Sequence, residues 1–208
     1  MRRAEKIRPA DVDYLEIRVD NFAAASAPLL KVLPRLHVPL LVTVRHPAEG
    51  GANALTFAQR RALYLQFLPF ASLLDLELRS CGKLADIIAA ARLAGVTVIA
   101  SSHAFHSMPS AAALQQAIRR AHAAGADVCK IAALVETPAA LARLLALFGK
   151  KQPLPLSVMG MGRFGKISRL LFAQAGSVLN YGYLDRPNAS GQWEATVLKK
   201  RLAELAEP

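Results

Sequence analysis

The chain is poor in cysteine, in aromatic residues and in acid. Only Cys81 and Cys129 occur among its 208 residues. They share no metal-ligand spacing, which argues against a cysteine-built metal site and reads as a reducing compartment. No apolar run reaches the length of a membrane span. The opening segment, MRRAEKIRPADVDY, is basic but has no apolar core, so it lacks the pattern of a secretory signal. These absences predict a cytoplasmic protein with no membrane partner. No low-complexity segment, internal repeat or clear linker interrupts the chain, which predicts one domain over residues 1–208.

The shortage of acid leaves 26 basic residues against 15 acidic ones and a formal charge of +11. Such a balance raises the question of nucleic acid. The basic residues are dispersed, however, as Arg2/Arg3, Arg60/Arg61, Arg119/Arg120, Lys150/Lys151 and Lys199 to Arg201. Most fall on predicted helix surfaces or ends, with no aromatics between them. No nucleic-acid partner is expected; a small anionic substrate and general solubility account for the charge as well.

What the chain does have is alternation. Strand-like runs at 14–19, 39–45, 73–78, 96–101, 128–134, 154–159 and 178–183 are separated by helix-like runs at 23–33, 57–67, 83–94, 111–123, 138–147 and 167–173. A last helix is predicted near 194–205. This order means a parallel α/β sheet with crossover helices. The number of units points to a (β/α)8 barrel of the TIM type, lacking its first β-strand. Ahead of Tyr14 only a short helical piece, 2–7, is legible.

In such barrels the chemistry lies at the C-terminal ends of the strands. Polar residues collect there repeatedly. Glu16, Arg18 and Asp20 alternate along the first run, Arg45 closes the second, and Glu49 follows in an EGG turn. Asp75, Glu77 and Arg79 end the third, and the fourth runs into Ser101, Ser102 and His103. Pairing of Glu16 with Arg18, and of Glu77 with Arg79, as interior ion pairs is one reading of these residues. Lys130 interrupts the apolar run Val128–Val135. It is either a strand lysine reaching solvent or a nucleophilic amine, because an amine in its neutral form attacks a carbonyl to give a Schiff base. His103 is a general acid/base candidate, Glu49 a carboxylate to orient it, and the arginines suit a substrate anion.

Gly160-Met-Gly-Arg-Phe-Gly165, with Asp185 about 20 residues on, matches a dinucleotide fingerprint. Only one strand-like run follows it, so the rest of a dinucleotide-binding half is absent. A glycine loop at this place can instead hold an anionic group on its N–H groups. Asn188-Ala189-Ser190 matches a glycosylation sequon that has no bearing without secretion.

With these residues in hand, the chain resembles the type I 3-dehydroquinate dehydratases, Schiff-base enzymes of the shikimate pathway and of aromatic amino acid biosynthesis. The segments that carry the resemblance, in order, are YLEIRVD (14–20), TVRHPAEGG (43–51), SSHAFHSMP (101–109), GADVCKIA (125–132), MGMGRFGKISR (159–169), GSVLNYGYL (176–184) and ASGQ (189–192). The resemblance implies that Lys130 forms the imine, that His103 is the acid/base and that Glu49 orients it. It implies further that Glu16, Arg18 and Arg45 contact the ring hydroxyls, and that Arg169 and Gln192, with Asn188 beside them, hold the substrate carboxylate. It implies no cofactor and no metal, and a homodimer as a common state. Ala104, Met108 and the Asn188–Gln192 loop depart from the family pattern. Another Schiff-base barrel lyase or aldolase, or a paralogue that binds without turnover, stays open from sequence.

Overall fold

A computed structural model describes residues 3–206. Six strands form one parallel sheet whose order follows the chain: β1 (Leu15–Arg18), β2 (Leu40–Thr43), β3 (Leu73–Glu77), β4 (Thr97–Ala104), β5 (Val128–Leu134) and β6 (Leu156–Met161). An open dinucleotide-type sheet reverses its strand order at a switch point, whereas a barrel wall does not. The expected parallel (β/α) topology is therefore what forms. Every residue of β2, β3 and β6 is buried. Strands covered on both faces need such near-continuous apolar runs, each Leu or Ile contributing roughly 1.5–3 kcal/mol on burial.

The chain divides into two compact units. The first, Met1–Ala100 with Ala124–Asp127, holds β1 to β3 and the start of β4, with α1 (Ser26–Val32), α2 (Phe57–Phe67) and α3 (Ala85–Leu93). Its registers set Glu16 against Leu41, Arg18 against Thr43, and Thr43 against Asp75. Helix α2 starts at a capping box in which the Thr56 hydroxyl accepts from Gln59 N–H and the Gln59 side chain accepts from Thr56 N–H. It buries Arg60, Leu63, Tyr64 and Phe67, the one-face spacing of an α-helix. Arg60, expected on a helix surface, thus lies on the inward stripe.

The second unit, Ser101–Ala123 with Val128–Pro208, holds the end of β4, β5, β6, α4 (Ala111–Ala123), α5 (Pro138–Leu145), α6 (Gly165–Gln174) and α7 (Ala195–Ala206). Thr137 caps α5 and Pro138 opens it, a pairing that suits the unbonded first turn. In the β5–β6 ladder Lys130 stands opposite Ser157 and Ala132 opposite Met159.

One strand expectation changes. Residues 178–183 form no strand. Val178 N–H bonds β6 at Leu156, and side-chain hydroxyls then take over, with Ser157 and Ser177 both donating to the Leu179 carbonyl. A single bridge, Tyr183 to Glu194, is all that remains of the predicted run. Ahead of β1 the described residues carry a 3-10 turn, Ala4–Lys6, and no strand; Arg2 lies outside them. Among the described residues no helix is long and apolar enough to cross a membrane.

Candidate active site

In the first unit the candidate residues form a charged web. Arg45 is 3% exposed. One of its terminal nitrogens donates to Asp75 Oδ1 at 2.9 Å and Glu77 Oε1 at 3.2 Å, and the other lies 3.9 Å from Glu16 Oε1. Glu16 also accepts from the Thr43 hydroxyl at 2.7 Å. Burial alone would lower the Arg45 pKa, but the charges of Asp75, Glu77 and Glu16 raise it above its ordinary value. A cation so held stays charged and is pre-aimed, a requirement for reading hydroxyl or carboxylate oxygens.

The expected local pairs do not form. Arg18 turns to Asp20 rather than Glu16, in a two-toothed bond at 2.9 and 2.7 Å, and also donates to the Gly50 carbonyl. The Asp20 carboxylate accepts as well from Arg45 N–H and Ala52 N–H. Burial pushes the Asp20 carboxyl up, but the Arg18 bond and charge, with those two N–H groups, hold it below the usual value. Glu77 pairs with Arg45, Arg60 and His46 N–H, while Arg79 reaches Glu49 at 3.3 Å. Apart from Arg18 with Asp20, these pairs join residues far apart in the chain.

Glu49 ends a one-turn 3-10 helix, Pro47–Glu49, and is 9% exposed. His46 Nδ1 caps that turn by accepting from Ala48 N–H, and Gly50 closes it in the left-handed region. Asp20, tied to residues 45 and 52, holds both ends of the same loop.

In the sequence Asp20, Asp75 and Glu77 stand at strand ends without an assigned site role, and Arg60 reads as a helix-surface residue. Each had a signal. Carboxylates at 75 and 77 alternate within an otherwise apolar strand, and Arg60 shares the 60, 63, 64, 67 stripe. Arg60 is 2% exposed; it donates twice to the Val44 carbonyl and bonds Ser80 and Glu77.

In the second unit Lys130 is 4% exposed, and its Nζ lies 3.9 Å from the centre of the Tyr181 ring. The reading as a solvent-reaching lysine is therefore excluded. His103 sits near the end of β4, half-buried, with its ring stacked on Phe105 at 5.9 Å.

Arg169, from α6, is buried without an acidic partner. Its Nε donates to the Tyr181 carbonyl, and Nη1 donates to the carbonyls of Gly160, Gly165 and Gly191, all at 2.8–2.9 Å. Burial pushes its pKa down to about 10. Gln192 Oε1 accepts from Asn188 and Ala189 N–H, closing the 188–192 loop on itself. The Asn188 amide makes no side-chain hydrogen bond among the described residues.

The glycine loop is occupied by its own fold. Gly160 N–H donates to Ser168, Gly162 N–H to Ser190, Arg163 N–H to Glu136, Phe164 N–H to Val135 and Gly165 N–H to Gly162. A Cβ on Gly165 would lie 2.7 Å from Gly191 Cα, and Gly191 itself has φ +77°. These glycines serve backbone-to-backbone approach, so neither a pyrophosphate nor another anion finds its N–H groups open.

Comparison with known proteins agrees with the geometry. The family model for type I 3-dehydroquinase matches residues 1–207. The chain is 31% identical over 205 residues to a catabolic 3-dehydroquinate dehydratase of Acinetobacter baylyi, covering 92% of this chain and 75% of that one. It is 33% identical over 212 residues to a 3-dehydroquinate dehydratase of Salmonella paratyphi B, covering 95% and 84%. Among solved structures, a type I 3-dehydroquinate dehydratase of Clostridium difficile with covalently modified comenic acid superposes with a TM-score of 0.88 at 27% identity, over 98% of this chain and 86% of that one.

Two outcomes follow from the first unit. Arg60→Leu leaves Glu77 and the Val44 carbonyl short of their buried partner, and should cost about 3–5 kcal/mol in urea unfolding. Asp20→Asn should cost about 1–3 kcal/mol at neutral pH. Because the Asp20 carboxyl is depressed in the folded state, its contribution is full above the unfolded value near ~3.9 and is lost as pH falls through the folded value. Unfolding midpoints of parent and variant should therefore converge below about pH 4.

Proposed function

This chain belongs to the type I 3-dehydroquinase family, and we propose that its dehydration of 3-dehydroquinate to 3-dehydroshikimate proceeds through an imine on Lys130. It is a lyase by that membership. The observation that carries the mechanism is the burial of the Lys130 side chain within the otherwise apolar strand β5, against the face of the Tyr181 ring. A relative from Clostridium difficile with a covalently modified ligand supports covalent chemistry in the family.

The neutral amine adds to the C3 ketone, and the carbinolamine loses water to give a protonated imine. That cation draws electrons from the adjacent carbon, so the C2 proton becomes removable by the His103 imidazole. The enamine pair then returns toward the ring and expels the C1 hydroxyl, which leaves as water with the proton His103 carries. Water hydrolyses the conjugated imine, freeing Lys130 and 3-dehydroshikimate. One water is taken up for the one lost at imine formation, so the net products are dehydroshikimate and water.

Glu49 orients His103 in this reading. Glu16, Arg18 and Arg45 read the ring hydroxyls, with Arg45 held charged by its three carboxylates. Arg169 has its charge balanced only by carbonyl dipoles, an environment that favours a carboxylate anion at its remaining nitrogen. Gln192 shapes the loop beside it, and Asn188 offers a further donor there.

Borohydride treatment with dehydroquinate present should add one ligand mass to the intact protein, and Lys130→Met should abolish the adduct. No adduct on the parent would sink the mechanism. An adduct with no rise in dehydroshikimate absorbance would favour a paralogue that binds without turnover. His103→Ala should still yield the adduct while steady-state turnover falls roughly 10²–10⁴-fold. Turnover at the parent rate would remove His103 from the acid/base role.

A further inference from the structure

Tyr181 lies in a segment that the dehydration steps above leave unused, yet its ring is placed against the reacting nitrogen. The Lys130 Nζ sits 3.9 Å from the ring centre, over its face. The face of an aromatic ring carries negative potential, and a cation within about 6 Å of the centroid is attracted to it. That distance places the amine well inside the range.

The contact is built by several independent constraints. Lys130 and Ser157 share a rung of the β5–β6 ladder. The Ser157 hydroxyl donates 2.8 Å to the Leu179 carbonyl, two residues before Tyr181. Ser177 donates to that same carbonyl and bonds Val158 N–H. The Tyr181 carbonyl is held at 2.9 Å by Arg169 Nε. The ring packs against Ala132, Met159 and Met161, all nearly fully buried, of which Ala132 is on the same face of β5 as Lys130. The segment is irregular backbone rather than a strand, so its side chains are placed by these bonds and not by a pleat.

We infer that Tyr181 is a catalytic residue whose ring face stabilises the protonated imine formed on Lys130. The inference rests on the imine reading above. The reaction passes from a neutral amine and ketone to a cationic imine, then to a neutral enamine, then back to a cationic imine. A fixed ring face lowers the cationic states relative to the neutral ones, and it does so without reorganising as charge appears. It also offers no hydrogen-bond acceptor along its face, so it stabilises the charge without competing for the proton. An anionic neighbour would neutralise the imine's pull on C2; a quadrupole leaves that pull in place.

The test replaces Tyr181 with Phe, with Leu, and with phenylalanines carrying one to three ring fluorines, which keep the shape while draining the ring face. Two readouts are taken: the fraction trapped by borohydride with dehydroquinate, and kcat/KM. Phe should stay within about twofold of the parent, and Leu should lose about 3- to 30-fold in the trapped fraction at fixed ligand, as expected for one such contact. The fluorinated series should fall stepwise with each fluorine, an effect that a merely space-filling ring would not produce. Equal trapping by Phe and its trifluoro form would overturn the proposal while leaving the imine intact. Absence of any adduct on the parent would overturn both.

Discussion

The second unit depends on one buried guanidinium. Arg169 reaches from α6 to carbonyls at the end of β6, at the start of its own helix, in the 177–183 segment and in the 188–192 loop. Tyr181 and Gly191 lie in irregular backbone, and a planar donor with fixed directions ties their carbonyls to β6 and to the start of α6. The arrangement is possible because Gly165 and Gly191 have no side chains to separate the two strands of backbone that Arg169 joins. Burial without a carboxylate lowers the guanidinium's affinity for its proton, yet leaves it charged near neutrality. The same residue thus closes the fold locally and keeps a positive charge where a substrate anion is expected.

The first unit solves the opposite problem. It gathers carboxylates at 16, 20, 75 and 77, which would repel one another in an apolar interior, and neutralises them with Arg18, Arg45 and Arg60. Removal of any one cation leaves a buried carboxylate short of a partner. Arg45 and the Glu49 turn both hang on Asp20, which accepts from the N–H groups of residues 45 and 52. The first unit sets side chains against one another, and the second sets a side chain against main-chain dipoles.

Much of this was legible from residues. The parallel α/β order followed from alternating runs, and β5 and α2 fell where their patterns placed them. Lys130 stood out because a charge inside an apolar strand needs a reason. The seventh strand failed because apolar alternation at 178–183 satisfies a strand pattern, whereas Ser157 and Ser177 capture the carbonyl that a ladder would need. The dinucleotide pattern failed on the same ground: its glycines match a phosphate loop in spacing, and only their hydrogen bonds show that the loop is spent on Ser168, Glu136 and Ser190.

What the sequence determined by itself is the fold class and the place of one charged residue, Lys130, inside an apolar run, since periodicity and a misplaced charge are local properties. Partner choice belonged to the tertiary structure. Glu16, Glu77 and Arg79 looked like members of pairs along the chain, yet they take partners from other strands and loops, while Arg18 pairs two residues on with Asp20, and Arg60 turns inward from an apparent surface pair. Side chains two apart on a strand share a face, but adjoining strands and the loop ends that meet them often bring opposite charges closer. The ring over Lys130 is of the same kind: Tyr181 is 51 positions away in sequence number, and tertiary contacts, the Ser157 rung and the Arg169 web among them, bring it to the amine.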